Sequence, residues 1–402
     1  MKRRGDFFAI DRWTWGQICD RNEMNGAVAY LILAHGTGAD NRYTNWSVKA
    51  VKTYAGIRWL RGLTAVDSLV RSGFLRRTQS ATKEKPCYEL VPADELATLQ
   101  YERNHATLTD YERLLLECVR VGKPPSRSAR HSLEQLALRG LLVKSPNGDY
   151  SLPDKPSIER DPIWLPGSLV TGAKGPEDAP VRRLRAAGDL WNLRMLIDLY
   201  HDHHLGDYGG LNPLVLRQSY ERELVGERGI YRVWAFRPGS YSGVFEGPLG
   251  PHRHRPKETG RDHPVWDSVH ALQAQGLLSF IPHLFEGDPV NSQAELIHPC
   301  AGEPTEAELG LAAHRAGLAL LPAFKRENCE ACWLAPVEKT IPNIQMVGIA
   351  RLRHRPHTRK TSAWYAELNS TCEHWIEHYS SIESGHPKDG NVLPLSTVRY
   401  GS

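Results

Sequence analysis

The chain has 402 residues, of which 41% are hydrophobic and 24% charged, a composition typical of a folded protein with about two to four domains. The net charge of +4 argues against a polybasic protein that coats nucleic acid, so any nucleic-acid surface must come from local clustering. The sequence shows no membrane-length apolar run, no secretory signal and no disulfide scaffold among its seven cysteines, which favours a cytoplasmic protein without a membrane partner.

The first domain, residues 1–95, is predicted to hold a helix-turn-helix followed by two strands. Ser47 offers an N-cap to a short helix, Gly56 closes that helix, and the next helix follows at once. The polar residues between the two strands would form the tip of a wing. The predicted elements are helices at 25–35, 48–56 and 57–72 and strands at 74–78 and 87–91.

The next segment is predicted to be a smaller copy of the first domain, followed by a linker. The copy spans residues 105–153 and lacks the middle helix, and its hairpin turns at Asn147-Gly148, a strong turn signal. The linker, residues 154–180, is rich in Pro and Gly. The elements predicted in the copy are helices at 109–121 and 127–139 and strands at 141–144 and 150–152.

A third winged-helix-like unit with a polar insert is predicted over residues 181–300, before a C-terminal α+β part over 301–382 and a mobile tail over 383–402. One long helix is expected to open the third unit, and a second is expected a little later. The predicted elements are helices at 184–203, 215–227, 265–275, 305–320 and 362–381 and strands at 280–285, 294–297, 333–337 and 344–352.

One ten-residue pattern occurs in all three units and predicts the same helix end each time. It reads VDSLVRSGFL at 66–75, LEQLALRGLL at 133–142 and VHALQAQGLL at 269–278. Gly73, Gly140 and Gly276 are expected to end their helices, because glycine takes the left-handed conformation at little cost. The apolar pair after each glycine is then predicted to begin a strand.

The basic residues of the first domain are candidates for contact with double-stranded DNA. Residues 58–85 hold seven basic and two acidic residues, a local charge of +5. Arginine and lysine reach phosphates, and arginine also pairs with guanine in the major groove. The candidates are Arg58, Arg61, Thr64, Ser68 and Arg71 at the recognition helix and Arg76, Arg77, Lys83 and Lys85 on the wing. A solvated charged face or a protein-docking domain is the alternative, and the spacing is also compatible with a buried Trp59.

The second domain offers two further candidates, Arg127 and Arg130, near the start of its recognition helix. Helix N-termini suit backbone phosphates. Ordinary surface charge on a small spacer domain is an equally good interpretation.

The segment RLRHRPHTRK, residues 351–360, is the sharpest charge feature, since it has five basic residues and no acid. Arginines at alternate positions share one face of a strand, which predicts a strip that binds the phosphate backbone. The candidate residues are Arg351, Arg353, Arg355, Arg359 and Lys360. The alternative is an arginine ladder paired with carboxylates inside the C-terminal domain.

The sequence predicts neither a metal site nor a catalytic site. Cys329 and Cys332 form a CxxC, but His298 and Cys300 are no clear second pair, and structural zinc needs four ligands. Phosphate-binding loops, nucleophile elbows, HExxH helices and paired-carboxylate signatures are not found. We therefore expect a protein that acts by binding, without catalysis or cofactor.

The first domain resembles the winged-helix domains of bacterial mobile-element proteins, both regulators and replication initiators. The resemblance rests on NWSVKAVKTYAGI at 45–57, on VDSLVRSGFL at 66–75 and on the wing. With the patterns above, it implies an α+β fold, mainly helical, with tandem winged helix-turn-helix units and a C-terminal α/β extension.

The function that this resemblance implies is a sequence-specific double-stranded DNA-binding protein that regulates transcription at a bacterial or mobile-element locus, with a homodimer as its candidate assembly. One helix would lie in the major groove, and the wings would contact phosphates. An initiator that binds origin repeats is one alternative. A tandem winged-helix subunit that binds only protein is another.

Overall fold

The chain folds as two compact units, Met1–Leu190 and Trp191–Ser402. In this computed structural model both units mix helices with strands, and helices are the more abundant. The residues that the structure describes are 7–21, 23–79, 82, 87–122, 127–145, 147–152, 159–203, 208–243, 247–254, 264–290, 294–329, 331–355 and 358–385.

The first unit contains helices and short strands, and the elements predicted over residues 25–91 and 109–152 are confirmed to within a few residues at each end. In chain order the elements are β1 (Phe7–Asp11), α1 (Arg12–Asp20), α2 (Met24–His35), β2 (Tyr43–Thr44), α3 (Val48–Ala55), α4 (Trp59–Arg71), β3 (Leu75–Arg77), β4 (Tyr88–Leu90), α5 (Ala93–Ala106), α6 (Asp110–Arg120), α7 (Arg130–Leu138), β5 (Val143–Lys144), β6 (Tyr150–Ser151), β7 (Pro162–Pro166), α8 (Ser168–Thr171) and α9 (Pro180–Ala187).

Helix α2 is the central element of the first unit. Its residues from Ala27 to Ala34 are all buried, as expected for a helix that is apolar on every side. Helices α3 and α4 pack against it, with Val51, Val66 and Leu69 buried. The strands β2, β4 and β3 form an antiparallel sheet in that spatial order. The unit thus joins three packed helices to a three-stranded sheet.

The described part of the predicted linker, residues 159–180, belongs to the body of the first unit. Strand β7 pairs antiparallel with β1, with Phe7 opposite Pro166 and Asp11 opposite Pro162. Helices α8 and α9 then pack against α2 and α3. Strand β7 was not predicted, because it has a proline at each end and proline usually marks a loop.

The smaller copy has a core of its own within the first unit. Helices α6 and α7 and the β5–β6 hairpin enclose a cluster that includes Leu115, Leu133 and Leu136. A capping box begins α6, in which Thr109 and Glu112 satisfy each other's backbone N–H groups. Segment 108–152 is therefore a small module set between α5 and β7.

The second unit is built on one antiparallel sheet of six strands. Its elements in chain order are α10 (Leu190–Asp202), β8 (Arg217–Arg228), β9 (Tyr231–Ser242), α11 (Pro264–Ala274), β10 (Leu278–Glu286), β11 (Glu295–Pro299), α12 (Pro304–Leu320), α13 (Ala323–Arg326), β12 (Trp333–Glu338), β13 (Ile344–Leu352) and α14 (Arg359–Glu383). The spatial strand order is β11-β10-β13-β8-β9-β12. Helices α12 and α14 pack together, and their apolar faces share one core with the sheet.

This sheet joins two segments that the sequence assigns to separate domains. Strand β10, from the predicted third unit, pairs with β13, from the predicted C-terminal part, along its whole length. The predicted helix and strands at 265–275, 280–285 and 294–297 are present, but the strands belong to the large sheet. Strands on both sides of the predicted boundary near residue 300 thus belong to one sheet.

Two of the helices predicted in the third unit are wrong. The helix expected over 184–203 is two helices, α9 and α10, with a break at Gly188, where φ is +81°. The helix expected over 215–227 is strand β8, which pairs with β9 over nearly its whole length. Pairing in the sheet overrides the local preference of this polar segment.

The three glycines of the repeated pattern behave as predicted. Gly73, Gly140 and Gly276 follow α4, α7 and α11 with φ of +85°, +72° and +63°. In each case the N–H of the residue after glycine bonds to the carbonyl five positions earlier: Phe74 to Leu69 at 3.0 Å, Leu141 to Leu136 at 2.9 Å and Leu277 to Leu272 at 2.9 Å. These are three Schellman helix ends with the same bonding.

Candidate nucleic-acid interface

The turn between α3 and α4 is tightly held. Ser47 caps α3 by accepting the N–H of Lys49 at 3.3 Å, and Gly56 ends the helix. Ile57 is buried, and Gly62 lies so close to α3 that a Cβ there would stand 3.2 Å from Val48. The sequence thus fixes α4 against α3 and leaves the opposite face of α4 to solvent.

Four of the five residues predicted at the recognition helix line one groove of about 550 Å³ beside the start of α2. They are Arg61, Thr64, Ser68 and Arg71, which lie three or four positions apart. Ser68 donates to Glu23 at 2.9 Å, so this hydroxyl already has a partner. Arg58 is exposed at the N-terminal end of α4.

The two described wing arginines are already paired with acids. Arg77 contacts Asp67 of α4 at 2.6 Å. Arg76 contacts Glu89 at 3.3 Å and also pairs with Glu95. The positive charge available to a ligand is therefore smaller than a count over residues 58–85 suggests. The predicted candidates Lys83 and Lys85 lie outside the described residues.

Helix α9 brings further arginines to the turn between α3 and α4, a contribution that sequence reasoning missed. A Cβ on Gly56 would stand 3.2 Å from the guanidinium carbon of Arg182. Arg185 donates from Nη1 to the carbonyl of Ala55 at 3.1 Å and from Nε to Oδ1 of Asn25 at 3.4 Å. Cations are favoured at this position, because the C-terminus of α3 carries negative partial charge.

Arg61, Arg182 and Arg185 form what we call the arginine cluster. Burial lowers the pKa of Arg185, and the nearby guanidiniums of Arg182 and Arg61 lower it further. Glu177 pairs with Arg182, but its own side chain is largely exposed. Since part of the lowered pKa comes from repulsion between like charges, an anion bound here would relieve that repulsion. Three arginines in VRRLRAAG, residues 181–188, are the signal that could have identified this segment.

The exposed face of α4 also carries apolar side chains. Trp59 is 50% exposed and Leu60 is 75% exposed, and Leu63 lies on the same helix. The alternative in which Trp59 belongs to the core is wrong. Exposed apolar side chains beside arginines suit contact with thymine methyl groups or with another protein.

The smaller copy offers less support for nucleic-acid binding. Arg130 is exposed but lies 3.6 Å from Glu134, which also contacts Lys144 at 3.4 Å. Arg127 lies in a single 3-10 turn just before α7. The charge of Arg130 is therefore already partly balanced by an acid of the same module.

The strip predicted over residues 351–360 is not one surface. Arg351 is only 3% exposed and contacts Glu306 at 2.6 Å, so it is no DNA contact. Arg355 is half-buried and stacks on Tyr365, and burial lowers its pKa to about 10. Strand β13 ends at Leu352, so the expected alternation stops after its first arginine. The members that remain exposed are Arg353, Arg359 and Lys360.

The cysteines and histidines considered for zinc fall into two separate clusters. Cys329 and Cys332 pack with Val233 and Leu334, whereas Cys300 lies in the main core beside His298. His298 bonds to Tyr379 at 2.7 Å. Among the residues that the structure describes, no group of three or more His, Cys, Asp or Glu is arranged to hold a metal ion.

No helix in the described ranges combines the length and apolar character needed to cross a bilayer. Comparison with protein families, with curated proteins and with solved structures gives no match for this chain.

Proposed function

We propose that the first unit is a winged helix-turn-helix that binds double-stranded DNA, and that the protein is a transcriptional regulator acting by binding alone. The order α2, β2, α3, α4, β3, β4, with the sheet order β2-β4-β3, supports this proposal. Helix α4 is then the recognition helix, with Arg58, Arg61 and Thr64 exposed on its first two turns.

The arginine cluster is the observation that carries the proposal. It places Arg182 and Arg185 at the turn that precedes the recognition helix, beside Arg61. A phosphate at this position would accept charge-assisted hydrogen bonds and relieve the repulsion among the three guanidiniums. Arg182 and Arg185 would thereby bind the phosphate backbone of the DNA, while α4 contacts the base edges in the major groove.

The experiment is selection of bound fragments from genomic DNA, followed by binding to a selected and a scrambled duplex over a salt series. Arg182→Ala should weaken binding to both duplexes alike and reduce the slope of log affinity against log salt by about 0.9. The matched control is Arg120→Ala, which removes an exposed arginine from α6 and should leave the slope unchanged. Failure of the intact chain to bind any duplex at low salt would contradict the proposal.

The same selection separates a regulator from a replication initiator. Promoter-proximal palindromes would support the regulator, whereas tandem repeats would support the initiator.

The exposed apolar residues of α4 favour a second candidate function, a subunit that binds protein and not DNA. Trp59 and Leu60 would be its contact residues. Under this alternative the double variant Trp59→Ser, Leu60→Ser abolishes association with a partner, and Arg182→Ala has no effect on it. If the wild-type chain binds a selected duplex with measurable affinity, DNA binding is favoured over this protein-binding alternative.

A further inference from the structure

A cavity of about 690 Å³ lies in the first unit, away from α4. Its walls come from the end of β1, the loop after α2, the end of β4 and the start of α5. Ile10, Leu90 and Val91 give it an apolar lining. This volume is in the range of small-molecule sites, which combine apolar walls with a few convergent polar groups.

Tyr30 is a polar group that faces this cavity from the central helix. It is only 2% exposed and lies in the otherwise apolar stretch from Ala27 to Ala34 of α2. Its hydroxyl makes no hydrogen bond to any residue that the structure describes. Burial raises its pKa, and the Asp11 carboxylate raises it further, so the phenol stays neutral. Because Tyr30 lines the cavity, its hydroxyl is accessible to a ligand atom there.

The charges around the cavity favour a cation. The carboxylates of Asp11, Asp40 and Asp94 line the cavity without an ion-pair partner among the described residues. Among the cations that line it, Arg160 alone shares this property within the described part of the chain. Asp11 and Asp40 accept backbone N–H groups, which leaves their negative charge in place. The remaining charged lining residues are engaged outside the cavity: Arg42 with Glu89 and Glu95 with Arg76.

Asn41 fixes the wall opposite β1. Its φ of +50° makes it the one non-glycine among the described residues with a positive φ. The side-chain Oδ1 accepts the N–H of Ala9 at 3.0 Å, which holds this loop against β1.

We propose that this cavity binds a small organic amine, whose ammonium group lies between the Tyr30 hydroxyl and the carboxylates of Asp11 and Asp40. The apolar lining then holds the hydrocarbon part of the same molecule. An ammonium ion offers three donors, which match one hydroxyl oxygen and two carboxylates. This inference does not depend on the proposed DNA binding.

Three probes of equal size and different charge test it with the intact chain. Phenethylamine, 2-phenylethanol and phenylacetate share the same ring and differ in the terminal group. Isothermal titration at physiological salt should show saturable binding of phenethylamine with a dissociation constant of about 1 mM, as expected for so few atoms. The alcohol should bind more weakly, and the acid should not bind measurably.

Two variants assign the binding to this cavity. Tyr30→Phe removes only the hydroxyl, so it should weaken phenethylamine binding at least fivefold without lowering the melting temperature of the free protein. Asp40→Asn should weaken it to a similar degree. Asp149→Asn, an exposed carboxylate in the smaller copy, is the matched control and should bind as wild type does.

Absence of phenethylamine binding, equal binding of the three probes, or unchanged affinity in Tyr30→Phe would each overturn the proposal. A loss of stability in Tyr30→Phe would show that the hydroxyl has a structural partner, and that result would also overturn it.

Discussion

The guanidinium of Arg351 donates to the carboxylate of Glu306 at 2.6 Å in the interior of the second unit. Arg351 also donates to the carbonyl of Tyr208 at 3.2 Å, and both members of the ion pair are almost fully buried. Glu306 in turn accepts the N–H of Glu303 at 2.7 Å in the capping box of α12. The pair therefore links the start of α12 to the end of β13.

Replacing one member of this pair should destabilise the second unit strongly. Arg351→Ala leaves the Glu306 carboxylate buried without its counter-charge, which is expected to cost about 3–5 kcal/mol. The measurement is thermal unfolding of the full chain, followed by the fluorescence of tryptophans in the second unit. Arg353→Ala, an exposed arginine two residues further on, is the matched control and should change stability by less than about 0.5 kcal/mol. Equal effects of the two substitutions would contradict a buried ion pair.

His298 should make the stability of the second unit depend on pH. The carbonyl of Pro299 accepts its Nδ1–H at 2.8 Å, and its Nε2 accepts the Tyr379 hydroxyl, so the ring is held neutral. Burial lowers the pKa of His298 to about 4, whereas the unfolded chain has the ordinary value near 6.5. Between these two values only the unfolded state takes up the proton. The contribution of His298 to stability is therefore complete above about pH 6.5 and falls as the pH drops toward 4, by about 2 kcal/mol at pH 5.

The check is the difference in urea unfolding midpoint between pH 7 and pH 5. His298→Gln should show a smaller difference than the wild type, whatever its absolute stability. His374→Gln changes an exposed histidine on the same helix as Tyr379 and should keep the wild-type difference. An identical pH response in all three proteins would mean that His298 does not contribute.

The helix end at Gly140 allows a clean test of backbone strain. A Cβ there would meet no atom within 4 Å, so the cost of Gly140→Ala comes only from its φ of +72°. We expect a loss of about 1 kcal/mol, and a smaller loss for Gly140→Asn, because asparagine tolerates the left-handed region. Chemical denaturation, monitored by a probe in the smaller copy, measures both. Alanine as stable as glycine would show that the helix end can change its conformation freely.

Arg58 and Arg61 should read bases if α4 is the recognition helix. Arg58→Ala or Arg61→Ala should cost about 1–3 kcal/mol on the preferred duplex and should relax the preference at one base pair. Competition binding against single-base variants of the selected site measures both effects. Arg71→Ala, at the far end of the same helix, is the comparison, because it should alter affinity more than preference. If Arg58→Ala and Arg61→Ala both keep the wild-type base preference, α4 does not determine the sequence specificity.

Local features of the fold were predictable from sequence, because neighbouring residues determine them. Ser47 and Gly56 delimit α3, and Gly73, Gly140 and Gly276 end their helices as expected. Strand β13 was predicted with its observed bounds, since a run of apolar residues marks a strand that is buried on both faces.

Relationships between distant residues were not predictable from one sequence. Nothing near Arg351 indicates that its partner is Glu306, although the spacing of Glu303 and Glu306 matches a capping box. Likewise Arg182 and Arg185 reach α3 only because β7 returns the chain to β1. In both cases the tertiary fold decides whether an arginine is buried, paired or exposed.

The pairing of β1 with β7 also has a consequence for synthesis on the ribosome. Phe7 meets its partner Pro166 only after the whole intervening segment has emerged. At typical elongation rates this takes about 10–30 s, during which Phe8 and Ile10 lack the strand that covers them in the finished protein. The smaller copy, with its own core, can fold within that interval. Nascent chains stalled before residue 166 should therefore depend on chaperones more than chains stalled after it.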